Sequence, residues 1–83
     1  QDMKERFRQT LQSQWSTAVA DFVFTRPVFR GSFFTARSGI PAATAYRFLR
    51  ALQKQDLLKV IEPASGRRPA LYSFEPLLEL VRD

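Results

Sequence analysis

The fold is decided by Gly39-Ile40-Pro41-Ala42-Ala43-Thr44-Ala45-Tyr46-Arg47-Phe48-Leu49-Arg50-Ala51-Leu52-Gln53-Lys54, followed by Gln55-Asp56-Leu57-Leu58-Lys59-Val60-Ile61-Glu62. Inside it the hydrophobic period changes. Ala45, Phe48, Leu49 and Leu52 recur at helical spacing and mark one buried face. Leu57 to Glu62 is rich in aliphatic and β-branched residues and reads as a strand. Pro41 suits the first position of a helix, because its missing N–H is not needed there. Gly39 suits the left-handed position just past the end of a preceding helix. Two helices therefore meet at a tight turn around Gly39, over residues 31–54, with a strand directly after them.

Upstream, Gly31 to Ser38 is a short helix, with Ser32 a candidate N-cap. Val28-Phe29 is a short extended bridge. Arg26-Pro27 ends a long first helix, since the residue before a proline is pushed out of the α region. That helix is expected over residues 2–23. Met3, Phe7, Leu11, Trp15, Ala18 and Phe22 fall on one stripe at spacings of three and four. Its N-terminal half extends beyond what the core needs. Met3, Phe7 and Leu11 are therefore expected to pack on a second copy or on an upstream domain.

Downstream, Pro63-Ala64-Ser65-Gly66-Arg67-Arg68-Pro69 is a turn-forming loop. Ala70 to Phe74 is the returning strand, with Ala70, Tyr72 and Phe74 on one face and Leu71 and Ser73 on the other. The hairpin covers residues 57–74. A last helix over 76–82 opens at Glu75-Pro76, with Leu77, Leu78, Leu80 and Val81 on its apolar side. The expected fold is a single α+β, mainly α domain over residues 1–83. It is a winged helix-turn-helix: a three-helix core, a two- or three-stranded β wing, and extra N- and C-terminal helices.

Composition narrows the chemistry. The 83 residues are 45% hydrophobic and 25% charged, which fits an ordinary globular domain. Eight phenylalanines argue against disorder. There is no cysteine and no histidine, so disulfides, thiolate metal sites and the commonest general base are excluded. Asp2, Glu5, Glu62 and Glu79 form no pair with metal or acid–base spacing. Ser32, Ser38, Ser65 and Ser73 lack a histidine partner, and Tyr46 and Tyr72 lack a base. Gly31, Gly39 and Gly66 are isolated, so there is no phosphate-binding glycine loop. No catalytic residue, cofactor, metal or small-molecule ligand is expected. No apolar stretch reaches membrane-spanning length and no signal peptide is visible, so a cytoplasmic location is the default expectation. The opening at Gln1 suggests a segment of a longer protein.

Charge is distributed unevenly. The formal net charge is +5. Between Arg26 and Arg68 stand nine basic residues against Asp56 and Glu62 alone. A basic centre between mildly acidic ends favours an anionic partner, double-stranded DNA first. On the third helix, Ala42, Ala43, Thr44, Tyr46, Arg47, Arg50 and Lys54 are the candidate contacts. The arginines can bond guanine edges or neutralise phosphates, and the alanines let the helix start come close. Thr44 can reach a phosphate or cap the helix. Arg67 and Arg68, at the tip of the hairpin, are candidates for phosphate or minor-groove contact. Each of these charges also has a plain reading as solvated surface.

The run Gly66-Arg67-Arg68-Pro69-Ala70-Leu71-Tyr72-Ser73-Phe74-Glu75-Pro76-Leu77-Leu78 is similar to the close of the C-terminal winged-helix domain of Fic-family proteins. Pro27-Val28-Phe29, Gly39 to Ala45, and Leu49 through Leu58 add to the resemblance, which spans residues 7–82. The family usually has Ser at the position of Pro41 and often Gly at that of Asp56, so Asp56 is expected to adopt a positive φ. The resemblance implies a parent protein with an upstream domain that transfers AMP from ATP to proteins. That chemistry uses a histidine-bearing loop, which this chain lacks. Two functions follow from different classes: a DNA-binding regulatory domain, or a module that docks on the Fic domain, on a partner or on a second copy.

Overall fold

The polypeptide turns back on itself at Gln12, and this turn organises the N-terminal third. A computed structural model describes the backbone of residues 3–82 and the side chains of residues 3–79. In place of one helix over 2–23 there are two, α1 (Met3–Leu11) and α2 (Ser16–Thr25). Gln12 takes a left-handed φ of 50° and ends α1. Its N–H still bonds the Arg8 carbonyl at 2.8 Å. The Ser13 hydroxyl accepts the Trp15 N–H at 3.1 Å and helps restart the chain as a helix. A 3.6 Å ion pair between Lys4 and Asp21 closes the open end of the helical hairpin.

The physical reason for the break is apolar surface on two faces. A continuous helix would bury the Met3–Phe22 stripe and leave Val19, Ala20 and Val23 wet. Folding back buries Phe7 and Leu11 of α1 together with Val19, Ala20 and Val23 of α2. Ala18, expected inside, is exposed because the turn shifts the helical phase. The left-handed Gln12 costs about 1–2 kcal/mol, which this burial offsets at ~25 cal/mol per Å² of apolar surface. Phe7 and Leu11, expected to face a partner, are filled in by the chain itself.

The next elements follow closely the order read from the sequence: β1 (Val28–Arg30), α3 (Gly31–Arg37), α4 (Ala42–Lys54), β2 (Leu58–Glu62), β3 (Leu71–Phe74) and α5 (Glu75–Arg82). Gly39 adopts φ +77°, as the tight turn requires. Ser32 is not the cap of α3. Arg30 occupies that position without a side-chain bond, because β1 runs straight into the helix. At the end of α4, Asp56 has φ 59°. Its N–H bonds the Gln53 carbonyl and the Leu57 N–H bonds the Leu52 carbonyl, each at 3.0 Å. This pair of bonds is the Schellman closure that normally uses glycine.

The sheet is antiparallel with β3 in the middle, in the order β1-β3-β2. β1 pairs Val28, Phe29 and Arg30 with Ser73, Tyr72 and Leu71. β2 pairs Leu58, Lys59 and Val60 with Phe74, Ser73 and Tyr72, after which a bulge leaves Ile61 unpaired and sets Glu62 opposite Leu71. The described residues thus form a compact, mainly helical α+β domain of five helices and one three-stranded sheet. Its Cα radius of gyration, 12.1 Å, matches the ~12 Å expected of a folded chain of this length. The apolar side chains of Leu80 and Val81, and residue Asp2, lie outside the described set.

Aromatic rings fill the core. Phe7, Phe34, Phe48 and Phe74 are fully buried. Phe7 meets Phe74 edge-on at 5.7 Å, and Phe34 meets Phe22 at 5.0 Å. Replacing Phe7 by Ala should destabilise the domain by about 3–5 kcal/mol, read as a lower urea midpoint. Asp56→Gly should raise stability by about 0.5–1 kcal/mol by relieving the left-handed strain, less the extra chain entropy of glycine. A fall in the midpoint of the glycine variant would refute the strain argument.

Candidate nucleic-acid interface

Helix α4 buries Ala45, Phe48, Leu49 and Leu52. At 100° per residue, Ala43, Arg47, Arg50 and Lys54 then share an arc of about 60° on the opposite side. All four are exposed, as are Ala42 and Tyr46. Thr44 turns to the flank and is half-buried. It does not cap the helix: Pro41 holds the cap position and no side chain bonds the first amides. The start of α4 therefore presents uncapped backbone N–H groups between two small exposed residues. Such an end attracts anions through both donors and dipole.

The arc is joined to the sheet through Gly31. A methyl group added there would lie 3.3 Å from Cε2 of Tyr72, 3.7 Å from Cε1 of Tyr46 and 3.9 Å from Cδ1 of Leu49. The two tyrosine rings thus converge at the start of α3. Tyr72 also stacks on Phe29 at 5.7 Å. Burial raises the Tyr72 phenol above its ordinary value and Tyr46 adds to this, while the positive charge of Arg50 pulls it back down. Arg50 is therefore close enough to Tyr72 to be felt. The sequence singled out Tyr46 and Arg50; it gave Tyr72 no part in this surface. The only signal was its alternation in the strand, which does not reveal a neighbour on α4.

Arg67 and Arg68 are exposed at the end of the β2–β3 hairpin. Ser65 and Arg68 exchange both backbone bonds, at 3.0 and 2.8 Å, around a two-residue Gly66-Arg67 turn. Gly66 supplies φ +56° at the first central position, as a hairpin turn with the right twist demands. The base of this arm is clasped by Arg30, a residue the sequence did not mark. Its guanidinium donates to the Pro69 carbonyl at 3.0 Å and to the Glu62 carboxylate at 2.9 Å. The bulge at Ile61 is what brings Glu62 into that position.

Arg47, Arg50, Lys54, Arg67 and Arg68 make no ion pair among the described residues. The Arg47 guanidinium lies 5.4 Å from the centroid of the Phe48 ring. No group of three or more acidic residues that could hold a metal occurs among the described residues. None of the described helices is long and apolar enough to cross a membrane. Comparison of the chain with protein-family models, with curated proteins and with solved structures gave no match.

The Tyr72 environment supplies a direct check on this geometry. Below pH 10 the neutral phenol is the native form, so its contribution to stability is complete there. It is lost as pH rises through the raised native value. With Tyr46→Phe, Tyr72 becomes the only phenol, and its ultraviolet titration should lie above 10.0. Adding Arg50→Ala should move that midpoint higher still. An unchanged midpoint would mean that Arg50 does not face Tyr72.

Proposed function

We propose that this chain is a winged helix-turn-helix domain that binds double-stranded DNA, within a larger protein of the Fic family. Helix α4 acts as the recognition helix and the β2–β3 hairpin as the wing. One observation carries the reading. Three cations share a narrow exposed arc on the helix that follows the tight turn, and none has a carboxylate partner among the described residues. Lys4, Arg8 and Arg30 do pair with acids, whereas Arg6, Arg26, Arg37 and Lys59, off this arc, make no ion pair among the described residues.

The arrangement suits backbone contact more than rich base reading. Arg47, Arg50 and Lys54 can neutralise phosphates on either side of a major groove, and Arg50 or Arg47 can reach a guanine edge. The uncapped start of α4, flanked by Ala42 and Ala43, accepts a phosphate closely. Arg67 and Arg68 reach the backbone or minor groove from the wing. No asparagine or glutamine stands on the exposed arc, so adenine-specific pairing is absent from it. The Fic assignment rests on the run from Gly66 to Leu78 and makes the domain a regulatory appendage to chemistry located elsewhere.

The test is a duplex titration at several salt concentrations. Each phosphate neutralised contributes about −0.9 to the slope of log K against log salt, so five contacts set a limit of about −4.5. Arg47→Ala and Arg50→Ala should each weaken binding and flatten the slope by about 0.9, with little change in stability. Absence of duplex binding at low salt would overturn the proposal in favour of a protein-docking module.

A further inference from the structure

A second cationic site, lined by no residue of α4, lies in the groove between α2 and α3. It has a volume of about 370 Å³ and is lined in part by Ala18, Asp21, Phe22, Arg26, Phe33 and Arg37. Two guanidinium groups converge on one ring: Arg26 lies 4.5 Å and Arg37 5.1 Å from the centroid of Phe33. Phe33 in turn packs on Phe22 at 5.9 Å. Neither arginine makes an ion pair among the described residues. The nearby polar groups are otherwise engaged. Asp21 pairs with Lys4, the Thr25 hydroxyl donates to the Asp21 carbonyl, and the Ser38 hydroxyl accepts from the Ile40 N–H.

The geometry points to this groove as a docking site for an acidic peptide segment that presents an apolar side chain flanked by carboxylates. Charge complementarity fixes the flanks. Two exposed guanidiniums offer forked donors to carboxylates, and each lies against the Phe33 ring, which favours one placement of both. The floor fixes the centre. Phe22 and Phe33 are half-buried and Ala18 is exposed, so an apolar side chain seated there removes their surface from water. A DNA backbone fits less well, because its phosphate ridge would leave that apolar floor wet. The site is separate from the arc of α4, so it stands or falls independently of DNA binding.

The probe is a blocked octapeptide with a central Phe between Asp and Glu residues, titrated into the whole chain and followed by amide and aromatic NMR shifts. Shifts are expected at Phe22, Phe33 and Arg37. A twin peptide with Asn and Gln in place of the acids should bind roughly tenfold more weakly, since charge-assisted bonds become neutral ones. The double variant Arg26→Gln, Arg37→Gln should lose the shifts while keeping its circular dichroism and the salt slope of its duplex binding. Conversely, Arg47→Ala with Arg50→Ala should leave peptide binding intact. Equal binding of the two peptides, shifts confined to the Arg47–Arg50 face, or no shifts at millimolar peptide would each overturn the inference.

Discussion

The central strand β3 is the constraint on which the rest of the domain depends. Three of its four residues pair on one side with β1, and all four pair on the other with β2. Backbone bonds extend this pairing at both ends: the Gly31 N–H bonds the carbonyl of Ala70, just before β3, at 3.0 Å, and the Phe74 N–H bonds the Pro27 carbonyl at 2.7 Å. The Phe74 ring receives edges from Phe7 of α1 and Phe24 of α2. Tyr72 reaches Phe29 and the start of α3. The segment that carries α3, the turn and α4 is thus a loop closed by the pairing of β1 with β3. Closing so long a loop costs entropy that only the joint burial of these rings returns. The orientation of α4 follows from that closure.

Much of the architecture was legible from local chemistry. Gly39, Pro41 and the switch of period at Leu57 placed α3, α4 and β2 within a residue or two, because each boundary is set by a backbone preference of its own residue. Asp56 was expected at positive φ and has it. The first helix was misread for an equally physical reason. Gln12 carries no breaking signal; neither glycine nor proline stands between Leu11 and Trp15. The break comes from tertiary burial on two faces of the segment, which a single-stripe reading cannot register. Ser32 failed as a cap because β1 leads into α3 without a loop, so the cap position fell on Arg30.

The candidate interface was legible as a set of residues, less so as a surface. Spacing alone puts Arg47, Arg50 and Lys54 on one arc, and burial agrees with it. Arg30 and Tyr72 went unnoticed because their roles arise between elements far apart in the chain. The Arg30 clasp needs a bulge at Ile61, and a bulge leaves no mark in an aliphatic run. Phe33 was equally silent: no spacing in the sequence singles it out, and only the fold sets it half-buried against two guanidiniums.

The charge pattern is best understood against the stability of so small a chain. Exposed ion pairs contribute about 0–1 kcal/mol, and like charges crowded on one region oppose compaction. Between Arg26 and Arg68 only two acids are present. Glu62 is taken by Arg30, and Asp56 closes the end of α4. That closure uses only the Asp56 backbone; its carboxylate makes no ion pair among the described residues, and neither do the cations of the α4 arc, the hairpin tip or the Phe33 groove. The aromatic core must carry the fold alone, without help from these cations, and it does so through rings that lie on the opposite faces of the same helices. A basic surface of this kind draws little stability from internal pairing, so the fold rests on the burial of its apolar side chains.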